Sequence, residues 1–465
     1  MTKTDAKKLD KFGVFIENSG SEITVHCGQN LSSLTRRELQ YMFGHNLNFT
    51  ERSDKNHVAY IRQRQDTGEI MAELEGYVTD DDFEKSAEIA LSASSELDAP
   101  VVKLLNNLLA VAISRVASDL HIDTSDGVLD IRMRFDGLLI NYAKLDIRIA
   151  AMLMSRIKLL SGMDITEKRR PQDGRFSVWH GGRNVDIRAA SIPVRSGERI
   201  ALRLFNREAS KFILKDTGLA SLHVEALQKS MSRQNGLILI CGPTGSGKTS
   251  TIYSMLNSLS GRGLNIMTIE DPVEVELKEI VQTQVNEANG FGFSDGLRSI
   301  LRNDPDVILV GEIRDEKTAE IAVRASMTGH LVISTVHSNS NIGAIKRLMS
   351  LGVDKSLLSD CLIGVFTQRL VRSYCSNCKD FSIKAPSHKS MLPSAFDGCE
   401  SCFYTGFSAR VPVMSHILLS NEDRVALDGN LISKLKTTDM MVEEAMSLHE
   451  AGLTPLFEVN KLKSE

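Results

Sequence analysis

The segment Gly242-Pro243-Thr244-Gly245-Ser246-Gly247-Lys248-Thr249 follows the pattern G-x-x-x-x-G-K-[ST]. It stands directly after the apolar run Leu237-Ile238-Leu239-Ile240 and ahead of a stretch compatible with a helix, the strand–turn–helix setting that the pattern requires. Glycines let the backbone curl so that successive N–H groups point at one anion, and the start of the helix adds favourable potential. Lys248 can then neutralise β- and γ-phosphates. The Thr249 hydroxyl can serve Mg2+, which prefers hard oxygen ligands. The chemistry implied is ATP binding with Mg2+.

Hydrolysis asks for an acid on the metal side and a group that orients water. Glu270-Asp271-Pro272-Val273-Glu274 follows the apolar run Ile266-Met267-Thr268-Ile269, and Glu312 follows Val307-Ile308-Leu309-Val310. Both clusters fall where an open α/β sheet places its ligands, beyond the carboxyl ends of strands. The expectation is Glu270 on the water and Glu312 on the metal, with the choice of base between them open. Glu274 and Asp315 read equally well as surface carboxylates. Gly311 stands where many enzymes of this kind carry an aspartate, so Glu312 must do more of the metal work.

Cys375-x-x-Cys378 and Cys399-x-x-Cys402 present four thiols across a 20-residue loop, a spacing that suits tetrahedral, structural Zn2+. Cys27, Cys241 and Cys361 read as ordinary small buried residues.

These residues need elements to hold them. At 465 residues the chain is too long for one core. Its 42% hydrophobic and 25% charged residues are those of a folded protein. With 55 basic against 59 acidic residues, the net charge of −4 argues against a dedicated nucleic-acid binder. No apolar run approaches the roughly 18 residues of a membrane span, and Met1 to Lys11 is polar. A cytoplasmic protein is expected.

Residues 1–95 read as a small accessory domain, and Ser94 to Pro100 as a linker and helix start. Helical spacing over Val101 to Val116 and alternation in Val128 to Phe135 and Arg183 to Arg188 give an α+β domain over 96–208. The continuously apolar strands of 209–370 suit a parallel sheet covered on both faces. A cysteine knuckle at 371–412 and a helical tail at 413–465 follow. The fold class expected is α/β, with a nucleotide-binding P-loop domain behind an α+β domain.

Beyond the glycine motif, the segments Ile269 to Glu274, Leu301-Arg302-Asn303-Asp304-Pro305-Asp306, Gly311-Glu312-Ile313-Arg314-Asp315 and Thr328 to His337 occur in this order. Upstream stand Ala117 to Ile122, Arg132 to Gly137, Pro171 to Arg175 and Gly197-Glu198-Arg199. Across roughly residues 100 to 412 the chain resembles the secretion ATPases of type II secretion and type IV pilus assembly, whose aspartate box, Walker B region and histidine box these segments match.

The resemblance implies a RecA-like ATPase domain and a hexameric ring docked on an inner-membrane platform protein. It implies that Arg175, Arg188 and Arg203 approach the γ-phosphate, often across subunits, and that His330 and His337 sense that phosphate. Alone, each such arginine or histidine reads also as a strand residue with a structural role. The knuckle favours assembly over retraction, since retraction motors generally lack it. Ala409, Pro412 and Ser415 depart from the usual continuation and suggest a divergent branch. A nucleic-acid translocase and a nucleotide switch without turnover are the rival readings.

Overall fold

A computed structural model describes residues 15–18, 23–28, 36, 39, 47–52, 98–125, 127–180, 183–205, 212–377, 399–403, 405–429, 435 and 440–464. The chain forms two compact units, one of residues 1–204 with 377–406 and the other of residues 205–376 with 407–465.

Within the first unit, the described part of the expected accessory domain is a three-stranded sheet of β1 (Phe15–Asn18), β2 (Ile23–Gly28) and β3 (Leu47–Arg52). A six-stranded sheet follows: β4 (Asp119–Ser125), β5 (Val128–Phe135), β6 (Leu138–Asp146), β7 (Gln172–His180), β8 (Arg183–Val194) and β9 (Gly197–Phe205), in the order β6-β5-β4-β9-β8-β7. Alternation decides its faces. Leu129, Ile131, Met133 and Phe135 of β5, with Ile200, Leu202 and Leu204 of β9, join the core formed with helices Asp98–Ser114 and Ala150–Leu160. The residues between them are charged, Ala201 excepted. Asp119 receives Arg203 at 3.1 Å and Arg134 at 3.6 Å, while Asp123 takes Arg199 at 2.8 Å and the Arg132 Nε at 2.9 Å.

The second unit is built on seven strands: β10 (Gly236–Cys241), β11 (Ile266–Glu270), β12 (Val281–Gln284), β13 (Val307–Val310), β14 (Leu331–Val336), β15 (Leu362–Tyr374) and β16 (Phe407–Leu418). Their order is β12-β11-β13-β14-β10-β15-β16. All neighbours are parallel except β15 and β16. Both faces are covered, as the apolar runs require. Leu237, Leu239 and Cys241 point into a core with helices Phe293–Ile300, Glu316–Met327, Asn341–Ser350 and Lys355–Cys361; Ile238 and Ile240 point into another with helices Ser221–Met231 and Lys248–Leu259.

The region expected to be a helical tail begins with a strand. Residues 413–418 belong to β16, which pairs antiparallel with β15 from Gly364↔Leu418 to Tyr374↔Phe407. The alternative to helix wins because this run lies beside an open sheet edge and buries Val413, Met414 and Ile417. Helices Asn421–Asp428, Met441–Glu450 and Leu456–Ser464 follow. The tail is fastened by buried polar contacts: His223 Nδ1 meets His416 Nδ1 at 2.9 Å, His223 Nε2 meets the Glu444 carboxylate, and Met414 N donates to Glu444 Oε2 at 3.1 Å.

Candidate functional site

Because β10, β11, β13 and β14 run parallel, their carboxyl ends share one edge of the sheet, and the residues after them gather there. Gly242 to Thr249 leaves β10 through three positive-φ glycines, Gly242, Gly245 and Gly247, and enters helix Lys248–Leu259. A Cβ on Gly247 would also stand 2.7 Å from Gln368 Nε2. The exposed tip is Pro243, Thr244 and Gly245. Lys248 Nζ donates to the carbonyls of Gly242 at 2.7 Å and Pro243 at 2.9 Å, so the ammonium lies across the loop. Burial, with the Arg369 charge adding to it, holds its pKa below the usual lysine range. Ser246 Oγ is buried without a hydrogen-bond partner. A curled loop with a cation and a spare hydroxyl fits a polyphosphate.

The acidic cluster after β11 divides its labour. Glu270 is only 5% exposed. Tyr253 OH donates to one of its oxygens; Thr268 Oγ1 at 2.6 Å and Gln282 Nε2 at 3.1 Å donate to the other. Glu274 N donates in turn to Tyr253 OH at 3.2 Å. Tyr253, Thr268 and Gln282 thus anchor the loop through Glu270, and burial beside that carboxylate pushes the Tyr253 phenol far up. The carboxylate brought to the glycine loop is that of Glu274, whose Oε1 lies 3.4 Å from Thr249 Oγ1.

Glu312, after β13, pairs with the Arg314 guanidinium and meets His337 Nε2 at 3.0 Å. Arg314 also stands 3.7 Å from Asp271, so the ends of β11 and β13 share this cation. Asp315 caps helix Glu316–Met327, accepting from Thr318 N and Thr318 Oγ1, both at 2.9 Å. The two histidines are split. His337 follows β14 at the glycine-loop edge, and desolvation with the nearby Lys248 and Arg314 charges lowers its pKa. His330 precedes β14 at the opposite edge, roughly 20 Å along the strand. Its carbonyl accepts from Gly236 N and its Nδ1 lies 3.0 Å from the Ala325 carbonyl. The expected pair therefore reduces, within this unit, to His337 at the site and His330 at a helix end.

In the six-stranded sheet, Arg175 and Arg188 face each other across β7 and β8, and Arg203 lies on β9 with its side chain 66% exposed and bound to Asp119. His121 sits among these charges, with Nδ1 3.2 Å from Arg199 Nη2. Burial, and Arg199 after it, lowers its pKa.

Cys375 and Cys402 are buried and Cys399 is half-buried. The Cys399 and Cys402 sulfurs are 3.8 Å apart, the separation that two thiolates have on a tetrahedral zinc with Zn–S near 2.3 Å, about 3.8 Å. Cys399 N at 3.1 Å and Gly406 N at 3.3 Å point at Cys402 Sγ, an arrangement that favours thiolate. The donor set fits zinc. Cys378, the expected fourth ligand, lies outside the described residues. Cys27, Cys241 and Cys361 are buried, and desolvation pushes the Cys241 thiol up to about 12.

Residues 94–460 match the Type II/IV secretion system protein family. Type II secretion system protein E of Pseudomonas aeruginosa is 44% identical over 372 residues, covering 78% of this chain and 74% of that protein. Type II secretion system ATPase E of Vibrio cholerae is 37% identical over 427 residues, 87% of this chain and 84% of that protein. Among solved structures, the pilus retraction motor PilT with bound ADP is similar at TM-score 0.54 and 28% identity, over 78% of this chain and 96% of that one. No helix among the described residues is long and apolar enough to cross a membrane.

Proposed function

Because the chain belongs to the Type II/IV secretion system protein family, we propose that it is an ATP-hydrolysing motor that powers assembly of a type II secretion pseudopilus or a type IV pilus. The observation that carries this is the meeting of Lys248, Thr249, Glu274, Glu312 and His337 at one edge of a parallel sheet. Backbone N–H groups of Thr244 to Lys248 bind the β-phosphate of ATP, and Lys248 leaves the loop carbonyls to pair with the β- and γ-oxygens. Thr249 would hold Mg2+, which supplies positive charge against the phosphate oxygens as the γ-phosphate departs.

Glu274 orients the attacking water. Glu270 keeps its place as the buried anchor of that loop, in line with its three donors, and Glu312 with Arg314 and His337 serves the metal side and the γ-phosphate. Arg175, Arg188 and Arg203 are the cations offered to a nucleotide within a hexameric ring. Zinc on Cys375, Cys378, Cys399 and Cys402 would stiffen the knuckle, a strengthening of local folding that structural zinc supplies elsewhere. The working site is the cytoplasmic side of the inner membrane, against a membrane platform protein.

The likeness to PilT supports a second reading, a retraction motor, and the cysteine cluster weighs for assembly. The test is complementation. In cells lacking the chromosomal copy, the parent chain restores secretion or fibre assembly and Lys248→Ala does not; restored retraction without assembly would select the second reading, and phosphate release independent of Lys248 would remove both.

A further inference from the structure

Gln368 is a polar residue in the middle of β15, 2% exposed, where an apolar side chain would be the ordinary choice. Both ends of its amide are used. Nε2 donates to the Ser246 carbonyl at 2.9 Å, and Oε1 accepts from Thr251 Oγ1 at 2.7 Å. The two partners fix which end is which, since a flipped amide would set carbonyl against carbonyl. Ser246 belongs to the glycine loop and Thr251 to the first turn of the helix that follows. Gln368 therefore ties both parts of the loop–helix junction to the strand beside it.

The tie has a direction. In a planar trans peptide the C=O and N–H point to opposite sides. With the Ser246 carbonyl drawn to Gln368, the N–H of Gly247 is aimed away from β15. The same residue shapes the loop from behind: a Cβ on Gly242 would meet the Gln368 carbonyl at 2.5 Å, and one on Gly247 would meet Gln368 Nε2 at 2.7 Å. The next residue, Arg369, is 6% exposed, and its charge adds to burial in keeping the Lys248 pKa low.

We infer that Gln368 is a positioning residue of the ATP site, which sets the Ser246–Gly247 peptide so that the Gly247 N–H is presented to the nucleotide phosphates. The inference rests on the ATPase reading above and adds a residue outside the glycine motif to it. Gln368 touches no phosphate itself. It acts through the loop, and its loss is felt as weaker binding of any nucleotide that carries a β-phosphate.

Gln368→Glu removes the donor to Ser246 and keeps the acceptor for Thr251; Thr251→Val removes the second bond, and Thr251→Ser restores it. Affinity for Mg-ADP is measured by equilibrium titration, KM and kcat by steady-state ATP hydrolysis, and the melting temperature without nucleotide on the same preparations. Gln368→Glu should bind ADP about tenfold more weakly and raise KM by a similar factor, and Thr251→Val about threefold, with Thr251→Ser close to the parent. A folded Gln368→Glu or Thr251→Val protein with a lowered melting temperature but parental ADP affinity and KM would show a mere packing role and overturn the inference. Should Gln368→Glu fail to fold, the Thr251 pair decides alone. A parent chain that binds no ADP overturns the ATPase reading, and this inference with it, which is a different result from parental binding in the variants.

Discussion

In the six-stranded sheet charge alternates with core along β5, and the charge on β4, β5 and β9 is neutralised where it stands, Asp119 between Arg203 and Arg134 and Asp123 between Arg199 and Arg132. In the seven-stranded sheet both faces are buried. Its carboxylates Glu270, Glu274 and Glu312 and its cation Lys248 stand at or just beyond strand ends, and these charges are set against loops and helix starts instead of against neighbours in a lattice. An open sheet face can spread its charge over many pairs. A closed one concentrates it in a line a few residues deep, where single substitutions should matter most.

Lys248→Ala is the sharpest break. It removes the cation from the glycine loop without touching either core, and steady-state phosphate release should fall by about 10²- to 10³-fold while the melting curve stays close to parental. The two glutamates of the acidic loop come next. Glu274→Gln should lower kcat by tens-fold or more and spare nucleotide affinity, whereas Glu270→Gln weakens three buried hydrogen bonds and should lower thermal stability as well. If the two variants behave alike in both measurements, the division between a working and an anchoring carboxylate is wrong.

Metal content tests a third kind of site. The parent should carry about one zinc per chain, and Cys402→Ser should lose most of it, since the hydroxyl is a poor replacement for a thiolate; zinc analysis and secretion assays on the same variant tell local folding from motor output. The smallest effect on stability is expected on the open sheet face. Arg203→Ala, which removes a largely exposed cation and leaves Arg134 beside the mostly buried Asp119, should cost no more than about 1 kcal/mol, and a larger loss in denaturant unfolding would mean that the lattice is more cooperative than the exposure of Arg203 suggests.

A pH series sharpens the comparison in the closed unit. Burial, with His223 beside it and Glu444 opposing, lowers the His416 pKa to about 4, against about 6.5 in an unfolded chain. Between these values the unfolded chain binds the extra proton, so stability rises with pH across the interval. It is fully present above about pH 6.5 and is lost as pH falls toward 4, at up to about 1.4 kcal/mol per pH unit. The difference in unfolding free energy between parent and His416→Gln should shrink along that slope.

Much of the architecture was legible. The apolar runs at Leu237–Ile240, Ile266–Ile269 and Val307–Val310 lie in the parallel strands β10, β11 and β13, because a strand covered on both faces has no reason to alternate. Val128 to Phe135 alternates and is β5. What stayed hidden depends on partners distant in sequence. Nothing near Glu270 announces that Tyr253 and Gln282 will occupy it. Gln368 and Thr251 lie 117 residues apart, and β16 becomes a strand only because β15 offers an edge. His330 and His337 look equivalent in sequence; a strand with two ends separates them.

The buried line from His416 through His223 to Glu444 joins residues up to 221 positions apart in the chain. During synthesis the glycine loop emerges well before β16 and helix Met441–Glu450 exist, so the glycine-loop edge is assembled against a sheet that still lacks its last strand. Contacts this distant in sequence form late and slowly. The newborn protein passes through an interval in which its glycine loop is made but β15 has no partner on its outer side, and a ribosome that stalls before β16 is complete would release a chain with an open, adhesive sheet edge at β15.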